Sequence, residues 1–235
     1  MTAAAGKRAG SCEIVRIAAA GDAALLAEFP RRIDPRVNAC ATQLAAALRQ
    51  RCGPAIRDAV VGYHTVTVYF DPIGVDAGWV ESEMRAAAAA LDEALAPEAP
   101  AIEVPVCYGG EFGPDLADVA RFGRCSQQDV ISIHSERTYR VYMIGFVPGF
   151  TYMAEVDARI AAPRRSTPRA AVPGGAVAIA GGQTGIYPSV TPGGWNIIGR
   201  TPIKPYDPGR ADPFVFHAGD AVRFRPIGRQ EFESA

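Results

Sequence analysis

The chain has no charge excess to read a partner from: 24 basic and 25 acidic residues leave a formal net charge of −1. Bulk electrostatics therefore point to neither nucleic acid nor a membrane surface. Aromatic residues make up only 9%, and no basic run interleaves with them. No stretch approaches the ~20 consecutive apolar residues a membrane-spanning helix needs. The opening MTAAAGKRAGSCEIV lacks the apolar core of a secretory signal. Cys12, Cys40, Cys52, Cys107 and Cys125 are odd in number and include no CxxC pair. That spacing argues against a disulfide framework and a structural zinc site. It predicts reduced thiols in a cytoplasmic protein, most of them acting as small buried hydrophobes. His64, His134 and His217 are scattered, make no metal-ligand spacing, and are each expected to be structural. No GxSxG element or other local nucleophile signature is present.

What is present divides into two parts. Residues 1–11 are small and polar and are expected to be disordered. Over 12–97 the pattern predicts a small α+β domain. Glu13–Ile17 and Ala23–Phe29 read as strands around Gly21-Asp22. Asp34-Pro35 starts a helix with Val37, Ala41, Leu44 and Leu48 on one face, ended by Gly53-Pro54. Ala59–Phe70 reads as one alternating strand, and Asp76–Leu95 as a second helix burying Val80, Met84, Leu91 and Leu95. The Pro/Ala stretch 96–101 marks a boundary. Over 98–235, Ile102–Tyr108 and Tyr139–Phe146 read as strands flanking two short helices, Asp115–Phe122 and Ser126–His134. Ser126 and Asp129 have capping-box spacing. Gly and Pro then recur every few residues between short apolar runs, Val177–Ala180, Trp195–Ile198, Phe214–Phe216 and Ala221–Phe224. Short strands with frequent turns and no helical period predict a closed, mainly-β barrel.

The densest chemistry lies in Val172–Pro202, VPGGAVAIAGGQTGIYPSVTPGGWNIIGRTP, in which eight of 31 residues are glycine. Either a tightly turned barrel or an approaching ligand needs so much bare backbone. GGQTG (Gly181–Gly185) has neither the Lys nor the spacing of a phosphate loop. Gln183 and Thr184 could point into a pocket from that turn. Arg164, Arg165, Arg169 and Arg200 flank the segment, and Arg pairs carboxylate or phosphate bidentately. Glu111 and Asp115 could pair for acid–base or Mg²⁺ chemistry, but Asp115 reads better as a helix cap. GFVPGFTYM, with Phe146, Phe150 and Tyr152, is either core or a recognition surface.

Three long motifs in order, YRVYMIGFVPGFTYM, APRRSTPRAAVPGGAVAIAGGQTGIYP and TPGGWNIIGRTP, resemble the KipI-type family. The likeness continues upstream through YGGEFGPDL and GDAALLAEF…IDPRVN and spans about Glu13 to Ile227. The family includes the B subunit of the ATP-dependent 5-oxoprolinase and allophanate hydrolase subunit 1. It is also similar to half of the carboxyltransferase domain of urea carboxylase. The resemblance implies an α+β N-terminal domain plus a mainly-β, cyclophilin-like barrel C-terminal domain. It implies two partners, a homologous KipA-type protein (the C subunit) and a lactam-hydrolase-type A subunit, with ATP used in the complex and bound there or on another subunit. The alternatives it implies are an inhibitor of a sensor histidine kinase and half of a carboxyltransferase for urea- or allophanate-type substrates. On the first reading, Gln183, Thr184, Tyr187 and Trp195 would line the substrate, with Arg200 or Arg169 on its carboxylate. Phe146, Phe150 and Tyr152 would face a partner. No metal ligands are expected, and a site shared between subunits leaves the isolated chain inactive. The chain departs from the family in Val172–Val177, VPGGAV for the commoner VPAGSV, where Ala176 lacks a hydroxyl. A second departure is Tyr152-Met153-Ala154 for Tyr-Leu-Gly.

Overall fold

The computed structural model describes residues 10, 12–92 and 100–235. Apart from Gly10, the stretch 1–11 expected to be disordered lies outside the described residues, as does most of the boundary stretch 96–101. Contacts divide the chain into two compact units, Met1–Pro97 and Glu98–Ala235.

In the first unit, β1 (Arg16–Ala19) and β2 (Ala24–Glu28) form the expected hairpin. Then come α1 (Pro35–Cys52), β3 (Ile56–Val61), β4 (Thr65–Phe70) and α2 (Ala77–Ala88). The sheet is antiparallel in the order β1-β2-β4-β3. Asp34 caps α1 by accepting from the Arg36 N–H at 2.8 Å, with Pro35 in the first turn where its missing N–H costs nothing. Gly53 (φ +50°) ends it and donates to the Arg49 carbonyl. The periodic set Val37, Ala41, Leu44 and Leu48 is fully buried, each large side chain contributing about 1.5–3 kcal/mol of apolar burial.

Three expectations need correction here. Ala59–Phe70 is two strands: the chain reverses at Gly62-Tyr63-His64, closed by Gly62 N–H to the Thr65 carbonyl at 2.8 Å. Apolar alternation alone cannot distinguish one strand from a tight hairpin whose limbs bury the same face. The second helix stops at Ala88, not Leu95; Leu91 is only half-buried and Leu95 lies outside the described residues. Cys12 and Cys40 form a disulfide, so they are not reduced thiols; Cys52, Cys107 and Cys125 are free. The pair is 28 residues apart, and only folding brings the N-terminal segment against α1.

The second unit holds β5 (Ile102–Tyr108), α3 (Leu116–Gly123), α4 (Gln127–Ser135), β6 (Thr138–Ile144), β7 (Thr151–Ala154) and β8 (Arg169–Val172). These lead to β9 (Ala176–Ala180), β10 (Gln183–Ile186), β11 (Thr191–Gly193), β12 (Asn196–Arg200), β13 (Ala221–Ile227) and α5 (Arg229–Glu233). Seven strands close a barrel in the order β10-β7-β6-β13-β5-β12-β9, with β8 and β11 as a separate ribbon. This is the mainly-β barrel predicted above. Pairing is antiparallel except between β13 and β5. The interior is packed with Val104, Val106, Val141, Met153, Val177, Ile179, Ile186, Ile198, Val222 and Phe224. The capping box at Ser126 and Asp129 forms as predicted. Phe214–Phe216 is not a strand: Phe214 makes a single bridge to Tyr206, while Phe216 is buried in the barrel core. No helix among the described residues is long and apolar enough to cross a membrane.

Candidate functional site

GGQTG is a β-hairpin. Gly181-Gly182 turn β9 into β10, with Ala180 opposite Gln183 and Gly181 at φ +57°. Strand alternation then sets two faces. Val177 and Ile179 of β9 point into the barrel, while Ala176, Ala178 and Ala180 belong to a second cluster outside it. That outer face is built from small residues, and large rings occupy the space they leave. Phe150 lies over Gly185, where a Cβ would come 3.1 Å from its ring carbons and 2.7 Å from the Thr151 carbonyl. Tyr187 crowds Gly193 in the same way. Most of the glycine excess thus serves close packing.

Phe150 is the hub of the outer cluster. Its ring centroid is 4.5 Å from Tyr152, 4.8 Å from Tyr187 and 5.4 Å from Trp195, in tilted or edge-on arrangements. Such pairs contribute about 0.5–1.5 kcal/mol each beyond area burial. Tyr152 pairs with Gly185, and Gln183 with Ala154, so the half-buried Gln183 shares the Tyr152 face. The wall therefore runs across four neighbouring strands, β7, β10, β9 and β12. Burial raises the pKa of both Tyr152 and Tyr187, against the pull of the Arg164 charge, so both stay neutral hydroxyls near pH 7.

A buried carboxylate frames one side. Asp115, at the start of α3 and 2% exposed, accepts from Arg165 Nη1 at 2.7 Å and from Arg169 Nη1 and Nη2 at 2.8 Å. It also accepts from the Ile197 N–H at 2.7 Å. Its side chain makes no cap bond to α3, so the expected capping role is replaced by this one. Nor does it pair with Glu111, which meets Arg229 instead. An ion so buried persists only when all its oxygens are bonded, and here four donors do that.

The structure brings Tyr187, Trp195, Phe150, Tyr152 and Gln183 onto one face, and takes Thr184, Arg169 and Arg200 elsewhere. Thr184 points inward, with its hydroxyl 3.1 Å from the Ala178 carbonyl and 2.9 Å from His134 Nε2. Donating to Ala178, that hydroxyl must accept from Nε2–H, so His134 Nδ1 accepts from the Tyr108 hydroxyl at 2.8 Å. His134 also stacks on Phe224 at 4.5 Å, and burial lowers its pKa to about 3. Arg169 is committed to Asp115. Arg200 donates to the Gly174 carbonyl at 2.8 Å and lies over Phe232. It sits five residues along the chain from Trp195, about 16 Å at strand rise. Phe146 has φ +66° and is 62% exposed, whereas Phe150 is buried. Sequence reasoning missed the Asp115 pairings and the Tyr108–His134–Thr184 chain; with partners 26 to 82 residues apart, no local signal announces them. Among the described residues, no group of His, Cys, Asp and Glu could hold a metal ion. A hollow of about 380 Å³ in the first unit, lined by Arg31, Arg32, Ile33, Tyr63 and His64, holds none of the residues picked out as ligand-facing.

Three comparisons bear on this geometry. The family model "Carboxyltransferase domain, subdomain C and D" matches residues 15–216. The 5-oxoprolinase B subunit of Bacillus subtilis (strain 168) is 38% identical over 224 residues, covering 91% of this chain and 93% of that protein. The crystal structure of TTHA0988 superposes with a TM-score of 0.78 at 37% identity, covering 87% of this chain; the chain spans only 40% of that longer one. The Kluyveromyces lactis urea amidolyase, at 18% identity and a TM-score of 0.79 over 97% of this chain and 16% of its own, shares the fold.

Proposed function

The chain belongs to the carboxyltransferase subdomain C and D family, and on that premise we propose that it is the B subunit of an ATP-dependent 5-oxoprolinase. The observation that carries the reading is the near full-length likeness to a 5-oxoprolinase B subunit. The outer aromatic wall supports it. A lactam is a planar amide with an apolar ring. Tyr152, half-buried and packed against the buried Phe150, Tyr187 and Trp195, offers its ring to the lactam ring, and the Gln183 carboxamide can donate to the lactam oxygen and accept from its N–H. In the reaction, the γ-phosphoryl group of ATP passes to the lactam oxygen and ADP leaves. Water then adds to the activated carbon, the C–N bond breaks to give the γ-glutamyl phosphate, and a second water hydrolyses that acyl phosphate to glutamate and inorganic phosphate. The residues of this chain bind and orient the ring and keep water off one of its faces.

On this face Phe150, Tyr187 and Trp195 are buried while Tyr152 and Gln183 are half-buried, and the homologous C subunit, with the A subunit, completes the site over those two. Exposed Phe146, held in a left-handed conformation beside Phe150, is the partner-facing ring. ATP is assigned to another subunit, since the phosphate-like GGQTG is here a hairpin. A sensor histidine kinase, on the inhibitor reading, would meet the same Phe146 surface.

Mixing the chain with its A and C partners is expected to give ATP-dependent glutamate release from 5-oxoproline. Omission of this chain should abolish it, and Gln183→Ala should raise KM about tenfold, the loss of one buried hydrogen bond. A complete mixture that releases no glutamate refutes the assignment.

A further inference from the structure

The arginines of the loop before β8 and at its first position are not equivalent. Arg165 and Arg169 are both bound to Asp115. Arg164, beside Trp195, has no hydrogen-bond or ion-pair partner among the described residues. The position of Arg164 is nonetheless fixed. The carbonyl of Pro163 accepts from Asn196 Nδ2 at 2.8 Å, and the N–H of Arg165 donates to the Gly194 carbonyl at 2.8 Å. Residue 164 is thus bracketed by two hydrogen bonds to the segment on either side of Trp195. Its guanidinium sits 5.9 Å from the centre of the Trp195 ring, a cation–π placement that holds the group without using its N–H donors. Its charge also reaches the Tyr152 and Tyr187 hydroxyls.

We propose that Arg164, stacked on Trp195 and positioned by Asn196 and Gly194, is the carboxylate-binding and specificity residue of the outer aromatic wall. The inference rests on the 5-oxoprolinase reading and sharpens it. The ligand is a small monocarboxylate bearing a planar amide. Its carboxylate takes the free N–H fork of Arg164 bidentately, while its amide reaches Gln183. Arg169 and Arg200, the two candidates the sequence favours, are held by Asp115 and Gly174 respectively. A lysine would place a point charge at this site but would lose the fork and the stacking.

The test uses the assembled complex of three subunits and follows ATP-dependent glutamate release from 5-oxoproline. Inhibition by 2-pyrrolidinone, the same ring without a carboxylate, is measured alongside. Arg164→Gln should raise KM for 5-oxoproline roughly tenfold to a hundredfold, the loss of a charged hydrogen-bond pair. It should leave kcat within about twofold and inhibition by 2-pyrrolidinone unchanged. Arg164→Lys should fall between. An unchanged KM in Arg164→Gln overturns the assignment, and so does an equal weakening of 5-oxoproline and 2-pyrrolidinone. A wild-type complex that releases no glutamate at all overturns the functional reading itself, and the role of Arg164 with it.

Discussion

The buried His134 should make the barrel unit lose stability in mild acid by an amount that follows from its surroundings. Its two ring nitrogens are spent on Tyr108 and Thr184, its face lies on Phe224, and burial lowers its pKa from 6.5 to about 3. In the unfolded chain the imidazole titrates near its ordinary value. Between those two values the unfolded state binds a proton that the folded state does not, so stability falls as pH falls through the window from 6.5 toward 3. From pH 7.5 to pH 5 the linkage amounts to about 2 kcal/mol, and its full extent, reached only below pH 3, is about 5 kcal/mol. Carboxylates also titrate there, so the difference from a variant is the measure. His134→Gln keeps an acceptor for Tyr108 and removes the titration. It should be less stable than the parent at pH 7.5, with the gap closing by about 2 kcal/mol at pH 5, roughly 4–8 °C in the melting temperature. Nitrogen NMR of the parent should show a neutral imidazole protonated on Nε2 at pH 5. A parent–variant gap that stays constant across this range refutes the reasoning.

Two further outcomes are expected. Asp115→Asn leaves Arg165 and Arg169 without their counter-ion and should lower stability by about 3 kcal/mol in urea unfolding. If it costs nothing, the carboxylate does not organise the loop before β8. Gly185→Ala forces a methyl against the Thr151 carbonyl and the Phe150 ring. It should destabilise the chain by about 1–3 kcal/mol and alter the aromatic near-ultraviolet dichroism; unchanged spectra would show that Phe150 does not depend on that gap.

Much of the fold was legible. The Asp34-Pro35 start, the Gly53 stop and the Ser126–Asp129 box are local devices, set by residues within a few positions of one another, and they form as read. The barrel was legible because short apolar runs between turns have few other ways to bury themselves. The hairpin at Gly62–His64 was not, since its limbs share one alternation. In the candidate site, the grouping of Tyr187, Trp195, Phe150 and Tyr152 was readable only as motif order. The inward turn of Thr184 was hidden because Gln183 and Thr184 are adjacent, and strand pleating sends neighbours to opposite faces.

By itself, then, the sequence determined the element types, the barrel and the family, because propensity, periodicity and motif order are properties of the chain read along its length. Tertiary structure alone decided which arginine is spoken for. Asp115 draws on Arg165, Arg169 and Ile197 from 50, 54 and 82 residues away, and a buried charge is satisfied by whatever the fold brings within about 3 Å. That choice is what leaves Arg164 over Trp195 without an ion-pair partner among the described residues.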